Sequence, residues 1–478
     1  MIFERGMCYG VPECEVKYMS SISAARQRVH ALLDESSFVE IGANARARAT
    51  ELNPEPVGTL TDGVITGYGV INDKPVCVYS QDSTILGGSI GEVHALKIAA
   101  VYDLAVRIGA PVIGLVDSAG LRLQEGVDAL NAFAQIYANH AKASGVVPQI
   151  MAVFGHCGGG LALAASMSDF TMMEENARMF VNAPNTLAGN HEEENDTANA
   201  EHRAKAGVVD FVGSEDEVIS KIRELIGLIP SNYADEAFEE NEDEMNRDCS
   251  GLTNASTDVD EILKEATDNG KFFELKAEYA PDMAVGFARF GGTTVGVIAN
   301  RDPLLTTEGC AKAASLTCFC DAFGIPIVTF TNATGYASTI ENENRMGKTA
   351  ARFTLALVSA TVPKINVIMK QAYGSAFAIM NPKGAGADFT IAFPSATVGI
   401  MDADIAAKLI SKDAPPEEYE EVRNFYAEMQ NSIDTAAGRN LVDQIVEPKD
   451  IRRYLIGALE ILYTKREQAP ARKHASKL

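Results

Sequence analysis

Two short runs of small residues are places where the backbone, rather than a side chain, can do chemistry. They are Asp117-Ser118-Ala119-Gly120 and Gly155-His156-Cys157-Gly158-Gly159-Gly160. Each falls where an apolar run ends and a helical pattern begins. A helix start leaves backbone N–H groups unpaired and carries the positive end of the helix dipole. Glycine lets a ligand oxygen approach those groups closely. Two such N–H groups from separate turns suit a developing enolate or oxyanion, each donor being typically worth about 2.7–4 kcal/mol in a transition state. The same glycines also serve tight helix–strand packing, so one turn alone does not decide between the two roles.

Other chemistries find less support. No Gly-Lys-[Ser/Thr] follows the glycine-rich turn, so it is not a phosphate-binding P-loop, and the GxGxxG spacing of a dinucleotide fingerprint is missing. His156 and Cys157 are adjacent, so their side chains point apart and a structural role is favoured over a Cys–His dyad. His191, His202 and Glu192–Glu194 have no HExxH spacing or equivalent and read as a polar loop; no metal is expected. The eight cysteines (Cys8, Cys14, Cys77, Cys157, Cys249, Cys310, Cys318 and Cys320) form no CxxC pair. Reduced cytoplasmic thiols are the economical reading. Met1-Ile2-Phe3-Glu4-Arg5 lacks the pattern of a secretion signal, and no run approaches the roughly 20 apolar residues of a spanning helix.

The elements that position the turns come from a repeat. The 478-residue chain, 46% apolar and 22% charged with no Trp, is long enough for two large domains. At an offset of 215 residues, Lys97-Ile98-Ala99-Ala100 corresponds to Lys312-Ala313-Ala314-Ser315, and Gly109-Ala110-Pro111-Val112-Ile113 to Gly324-Ile325-Pro326-Ile327-Val328. Asp117-Ser118-Ala119-Gly120 falls on Asn332-Ala333-Thr334-Gly335, and Val147-Pro148-Gln149-Ile150 on Val362-Pro363-Lys364-Ile365. After Gly159 and Gly374 the register slips by four, and Asp169-Phe170-Thr171 pairs with Asp388-Phe389-Thr390. Each half predicts helices over Glu92–Ile108 or Gly309–Phe323 and over Gly126–Ser144 or Glu343–Ser359. Between them fall short buried strands, which indicates α/β layering. The expected divisions are 1–230 and 258–478, joined by an acidic linker over 231–257. Asp235 to Asp248 holds eight carboxylates and one Arg, a solvated connector. The net charge of −24 disfavours nucleic acid as a partner but allows an anionic small molecule at a local positive patch.

At these turns the chain resembles the carboxyltransferase subunits of biotin-dependent acyl-CoA carboxylases and decarboxylases, from about Arg26 to Ile456. The likeness is carried by Arg28 to Gly42 (RVHALLDESSFVEIG), Asp62 to Tyr68 (DGVITGY), Ser80-Gln81-Asp82, Gly87-Gly88-Ser89, Gly91-Glu92-Val93-His94 and Asp117–Gly126 (DSAGLRLQEG). In the second half it is carried by Tyr279-Ala280-Pro281, Gly286-Phe287-Ala288-Arg289, Phe319–Pro326 (FCDAFGIP), Ala360–Lys364 (ATVPK) and Ala372–Ala376 (AYGSA). The resemblance implies two homologous crotonase-like domains in tandem, of the ClpP/crotonase superfold. It implies that the first domain holds a CoA thioester and that the second domain of a neighbouring subunit receives biotin from a separate carrier protein, with no metal. By motif match, Gly159 and Gly160 polarise the thioester carbonyl, beside Ser118, Ala119, Gly120 and Gly158. Ser375 and Ala376 stabilise the biotin ureido oxygen, beside Gly335, Tyr336, Tyr373, Gly374 and Ala378. Carboxybiotin releases CO2, and the substrate enolate attacks it.

This chain departs from the family pattern mostly in its second half. Gly-Gly-Ala becomes Gly374-Ser375-Ala376, an Asp linked to acyl selectivity becomes Ala378, and Pro-Gly-Phe becomes Thr334-Gly335-Tyr336. The loop Ala337–Arg345 diverges, and a Met-Gly-x-x-Gly-Ala motif becomes Met401–Ala406. Met369-Lys370 faintly echoes a biotin-attachment Met-Lys-Met but lies inside the repeat; the expectation is that the chain carries no biotin of its own. The expected activity is carboxyl transfer between carboxybiotin and the α carbon of a short acyl-CoA, in a cytoplasmic homo-hexamer (a dimer of trimers). The partners would be a biotin carboxyl carrier protein and a biotin carboxylase subunit. One alternative is the decarboxylase direction with malonyl-, methylmalonyl- or glutaconyl-CoA and a membrane decarboxylase subunit. Others are a biotin-independent crotonase-type enzyme and a non-catalytic subunit.

Overall fold

The computed structural model describes residues 23–52, 62–240, 242–256, 258–412 and 415–467. Met1–Arg5, Cys8 and Cys14 lie outside the described residues. The first half contains helix α1 (Ala24–Leu32), strands β1 (Val39–Glu40), β2 (Val64–Ile71) and β3 (Lys74–Gln81), and helix α2 (Glu92–Ile108). Strand β4 (Val112–Ser118), helix α3 (Gly126–Ala143), strand β5 (Gln149–Gly158) and helix α4 (Gly160–Met167) follow. Then come β6 (Phe170–Glu174), β7 (Arg178–Phe180), α5 (Ala200–Lys205), β8 (Phe211–Gly213) and α6 (Glu215–Leu228).

The strands line up as β1-β2-β3-β4-β5-β6-β8, with β7 beside β5. β2 and β3 are an antiparallel hairpin closed at Asn72-Asp73, both at positive φ, the residue types that a tight hairpin turn favours. From β3 to β8 the pairing is parallel. Helices cover such a sheet, so its strands read as continuous apolar runs; all but Asp117 of β4 is buried.

The second half repeats this plan. It comprises α7 (Val259–Ala266), β9 (Phe272–Glu274), β10 (Met283–Phe290), β11 (Thr293–Asn300), β12 (Leu304–Leu305), α8 (Thr307–Ala322), β13 (Ile327–Ala333) and β14 (Gly335–Tyr336). After α9 (Ile340–Ser359) come β15 (Lys364–Tyr373), α10 (Gly374–Ala378), β16 (Phe389–Ala392) and β17 (Thr397–Gly399). Helices α11 (Ala403–Ile410), α12 (Pro416–Tyr426) and α13 (Ile433–Gly438), strand β18 (Gln444–Ile445) and helix α14 (Ile451–Leu462) close the chain. The order is β9-β10-β11-β13-β15-β16-β18 with β17 on β15, the same path strand for strand.

Single hydrogen bonds repeat as well. The Gln149 N–H donates to Asp169 Oδ2 and the Lys364 N–H to Asp388 Oδ2, each at 2.8 Å. Thr171 N–H to Asp210 and Thr390 N–H to Asp443 match at 2.8 Å. His156 N–H to Asp117 Oδ1 and Gln371 N–H to Asn332 Oδ1 match at 3.3 Å. The doubling expected from the sequence is therefore a doubling of the fold.

The halves share a core. Phe170 of β6 packs edge-on against Phe319 of α8 at 4.7 Å and Phe287 of β10 at 6.0 Å, and Phe319 meets Phe323 at 4.6 Å. Val29 and Leu32 of α1 and Ile222 and Leu225 of α6 belong to this same buried cluster.

The acidic segment between the halves is largely exposed but stitched to the second sheet. Glu239 N–H donates to Gly292 O and Thr294 N–H to Ala237 O, both at 3.0 Å, and Arg289 pairs with Glu239. The Arg247 guanidinium holds the Asp243 carboxyl down at about 2. The described cysteines are free thiols, and among the described residues no helix is long and apolar enough to cross a membrane.

Candidate functional site

β4 ends in a register shift between Val116 and Ser118, which turns the chain out of the sheet at Asp117–Gly120. The preceding loop, Leu86–Gly88, runs through three successive positive φ angles and props this turn from behind. Ser118 Oγ donates to Gly88 O at 2.7 Å, Ala119 N–H to Gly87 O at 3.0 Å, and Gly120 N–H to Ser118 Oγ at 3.1 Å. A Cβ on Gly88 would fall 2.3 Å from Asp117 O, so only glycine permits the approach. The N–H groups of Ala119 and Gly120 are thereby engaged, and Ala119 stands exposed at the rim.

The second turn starts where β5 ends, with Cys157 the register partner of Ser118. Gly159 sits at φ 61, ψ −127, a conformation glycine adopts and side chains resist. Its N–H donates to Phe180 O at 2.8 Å. Gly160 opens α4; its N–H is one of the orphan donors of a helix start and has no partner among the described residues. Tyr137 Oη donates to Gly160 O at 2.7 Å, fixing this first turn from the side. A Cβ on Gly120 would come within 3.9 Å of Gly158 O, so Ser118, Ala119, Gly120, Gly158, Gly159 and Gly160 form one cluster.

The equivalent turn of the second half gathers the other named residues. Gly374, at φ 57, opens α10, and Ala376 is buried while Ser375 and Ala378 are exposed. Gly335 and Tyr336 form β14, which pairs with β12 and packs against α10. Among the described residues no hydrogen bond joins this cluster to the first.

One exchange separates the two turns. Gly158 pairs with Phe180 on β7, and Tyr373 pairs with Gly399 on β17. The aromatic residue comes from opposite members of the pair: the Phe180 ring lies over Gly158, whereas Tyr373 Oη bonds Thr397 Oγ1 at 2.8 Å and the Asn431 side chain lies over Gly399.

Burial shapes two titratable side chains nearby, Cys157 and His94. Burial pushes the Cys157 thiol up to about 12, whereas His156 is exposed, so the two residues form no dyad. Burial also pushes His94 down to about 3, keeping it neutral while its Nδ1 bonds Asp62 O at 2.8 Å. His191 bonds Asn185 within a surface loop, and Lys370 lies exposed on β15 in the place of Gly155.

A buried ionic cluster beneath the first turn, Arg122 with Asp62 and Glu125, was not apparent from the sequence. Its signal was the placing of both Arg122 and Glu125 inside an otherwise small and apolar turn.

Comparison with known proteins is consistent across sequence and structure. A family model described as carboxyl transferase domain matches residues 19–476. The propionyl-CoA carboxylase beta chain of Saccharopolyspora erythraea is 35% identical over 489 residues, covering 95% of this chain and 90% of that one. The methylmalonyl-CoA decarboxylase subunit alpha of Propionigenium modestum is 33% identical over 495 residues, covering 98% and 95%. Among solved structures, transcarboxylase 12S, a hexamer crystallised with methylmalonyl-coenzyme A and methylmalonic acid, superposes with a TM-score of 0.90 at 32% identity, over 97% of this chain and 94% of that one.

Proposed function

Because the chain belongs to the carboxyl transferase family, a family of biotin-dependent acyl-CoA carboxyltransferases, we propose that its two turns divide the reaction between two substrates. The first cluster receives the thioester of a short acyl-CoA, and the second, in a neighbouring subunit, receives biotin. The observation that carries this reading is the unpaired Gly160 N–H at the mouth of a turn whose neighbouring Gly159 N–H is spent on Phe180 O.

When bound, carboxybiotin supplies the carboxyl group and, once it has lost CO2, the base. The chain's own residues polarise and position. Gly160 N–H faces the thioester oxygen and takes up charge as the enolate forms. Ala119 and Gly120 wall the opposite side, held by the Leu86–Gly88 loop, so the α carbon is presented in one orientation. Around α10, the first-turn N–H groups of Ser375 and Ala376 suit a carbonyl-type oxygen such as that of a ureido ring, and Gly335, Tyr336, Tyr373, Gly374 and Ala378 shape the approach. No metal enters the scheme.

Exposed apolar side chains support assembly: Leu123, Val127 and Leu130 in the first half, and Ile405, Leu409, Ile410 and Phe425 in the second. A homo-hexamer like that of transcarboxylase 12S would bring unlike halves together. The carrier would be a separate biotin carboxyl carrier protein in the cytoplasm. A biotin carboxylase subunit would drive carboxylation; a membrane decarboxylase subunit would draw the same enolate chemistry the other way. The test is CO2 exchange from malonyl-CoA and methylmalonyl-CoA by the purified chain with and without free biotin. Biotin-dependent exchange is expected; exchange that ignores biotin would refute the reading.

A further inference from the structure

Arg122 is 3% exposed and every part of its guanidinium is engaged. Nη1 pairs with Asp62 and donates to Glu125 Oε1 at 2.7 Å. Nε donates to Ser89 Oγ at 3.2 Å and Nη2 to Ser89 O at 2.6 Å. The two carboxylates are equally hidden and equally used. Asp62 Oδ2 accepts the His94 N–H at 2.9 Å, and Glu125 Oε2 accepts the Glu92 N–H at 2.6 Å, capping α2 from another loop. A Cβ on Gly91 would lie 2.4 Å from both Arg122 Nη1 and Glu125 Oε1, so the chain has kept space clear for this contact.

The cluster pins one segment to another at both ends of the exposed turn. Ser118, before Ala119 and Gly120, is tied to Gly88; Arg122, after them, is tied to Ser89, and Ile90 N–H donates to Gly120 O at 2.8 Å. Beside the pairing of β4 with β5, the contacts that fix where Ala119 and Gly120 stand thus come from the strip Gly87–Ile90. Burying a cation with two carboxylates is a costly way to stabilise a fold when apolar residues would serve. It is an effective way to fix geometry, because a planar guanidinium bonds in several set directions at once.

We propose that Arg122 is a positioning residue for the thioester side. By clamping Ser89, it sets the distance between the Ala119–Gly120 wall and the Gly160 donor, and so the fit of the acyl-CoA. This rests on the assignment of the first turn to the thioester. Arg122→Lys keeps a cation for the two carboxylates but cannot reach both of them and both Ser89 oxygens. Ser89→Ala removes a half-buried hydroxyl that accepts from Arg122 Nε and donates to Leu86 O at 2.7 Å, and it leaves the bond from Arg122 Nη2 to Ser89 O and the fold in place.

In the full-length protein, three quantities are to be measured for both variants: the calorimetric affinity for methylmalonyl-CoA, KM for that thioester, and KM for biotin. Arg122→Lys is expected to raise the thioester Kd and KM about tenfold, and Ser89→Ala about threefold, with the biotin KM unchanged, because a displaced wall misplaces the substrate it holds. Unchanged thioester constants in folded Ser89→Ala, or equal changes for both substrates, would overturn the proposal, and Ser89→Ala decides it if Arg122→Lys does not fold. A wild-type chain that binds no thioester would remove the assignment of the turn itself, and this inference with it.

Discussion

Replacing Gly160 with Pro exchanges the backbone N–H at the first position of α4 for a ring carbon, Cδ, that stands where the hydrogen stood. That donor has no partner in the helix, and the fixed φ of proline suits a first helical position. Proline also demands an extended predecessor. Gly159, at φ 61, ψ −127, holds the mirror image of an extended conformation, which an achiral residue adopts as readily. The added Cβ disturbs the packing. A Cβ at Gly160 falls 2.7 Å from Phe133 Cε1 and from Tyr137 Oη, and crowding of this kind costs about 1–3 kcal/mol. Gly160→Ala carries the same Cβ with the N–H intact, so the difference between the two variants reports the loss of the donor together with the Cδ that takes its place. Since Gly159 N–H is spent on Phe180 O, no second donor of that glycine pair compensates, and the full value of one oxyanion contact should appear. That is about 2.7–4 kcal/mol, or 10²–10³ in kcat. The assay is single-turnover carboxyl transfer from methylmalonyl-CoA to biotin, with circular dichroism confirming the fold of both variants. If folded Gly160→Pro turns over within about threefold of Gly160→Ala, under 1 kcal/mol, the N–H does not meet charge in the transition state and the reasoning fails.

Three further outcomes follow from the packing and the charges. Phe319→Ala, at the junction of Phe170, Phe287 and Phe323, should cost about 3–5 kcal/mol and lower a single denaturation midpoint; two separate transitions would show that the halves fold independently. Burial pushes the Asp169 carboxyl up to about 7, so it stays protonated in the fold while an unfolded Asp ionises near 3.8. Its stabilisation is fully present below about pH 3.8 and is lost as pH rises to about 7; Asp169→Asn should therefore gain on wild type in urea midpoint over that interval and keep the gain above it. The opposite slope from His94 and His140, which burial holds at about 3 and about 4, is common to both proteins and cancels. Arg452→Met strips a fully buried guanidinium from Asp268, 2.7 Å away, and should cost about 3–5 kcal/mol by chemical denaturation, because the carboxylate stays buried.

The doubled architecture was legible because the repeat is carried by residues with local jobs. The Gly-x-Pro breaks before β4 and β13 end helices wherever they occur. Asp169 and Asp388 recur because each caps an N–H at the same strand start, and the four-residue slip between them falls in the turn after α4 and α10, where length is free. The clusters around Gly160 and Gly374 were legible for a similar reason, since a backbone donor needs only glycine and a helix start. What stayed hidden depends on partners distant in the chain. That Gly159 N–H is taken by Phe180 follows from β7 lying beside β5, which no local pattern states. Asp62, Arg122 and Glu125 carry charges that ordinarily belong to a surface, and only the fold makes them a buried clamp. The acidic run between the halves is largely exposed, as its charge suggests, but its bonds to Gly292 and Thr294 arise from a hairpin some fifty residues on.

The exchange of ring and glycine between Gly158–Phe180 and Tyr373–Gly399 bears on how two such sites diverge from one ancestor. Moving the first arrangement to the second requires two changes. A ring at position 158 alone would run into the Phe180 ring, 2.8 Å from a Cβ there, and a glycine at position 180 alone would leave a void; each carries a cost of about 1–5 kcal/mol. In the second half a side chain at Gly399 would instead meet Asn431, 2.2 Å from a Cβ. Once the duplicated halves stood on opposite sides of that divide, single substitutions could not easily carry one back to the other. A designer seeking to convert one turn into the other should change both members of the pair together, and Asn431 with them.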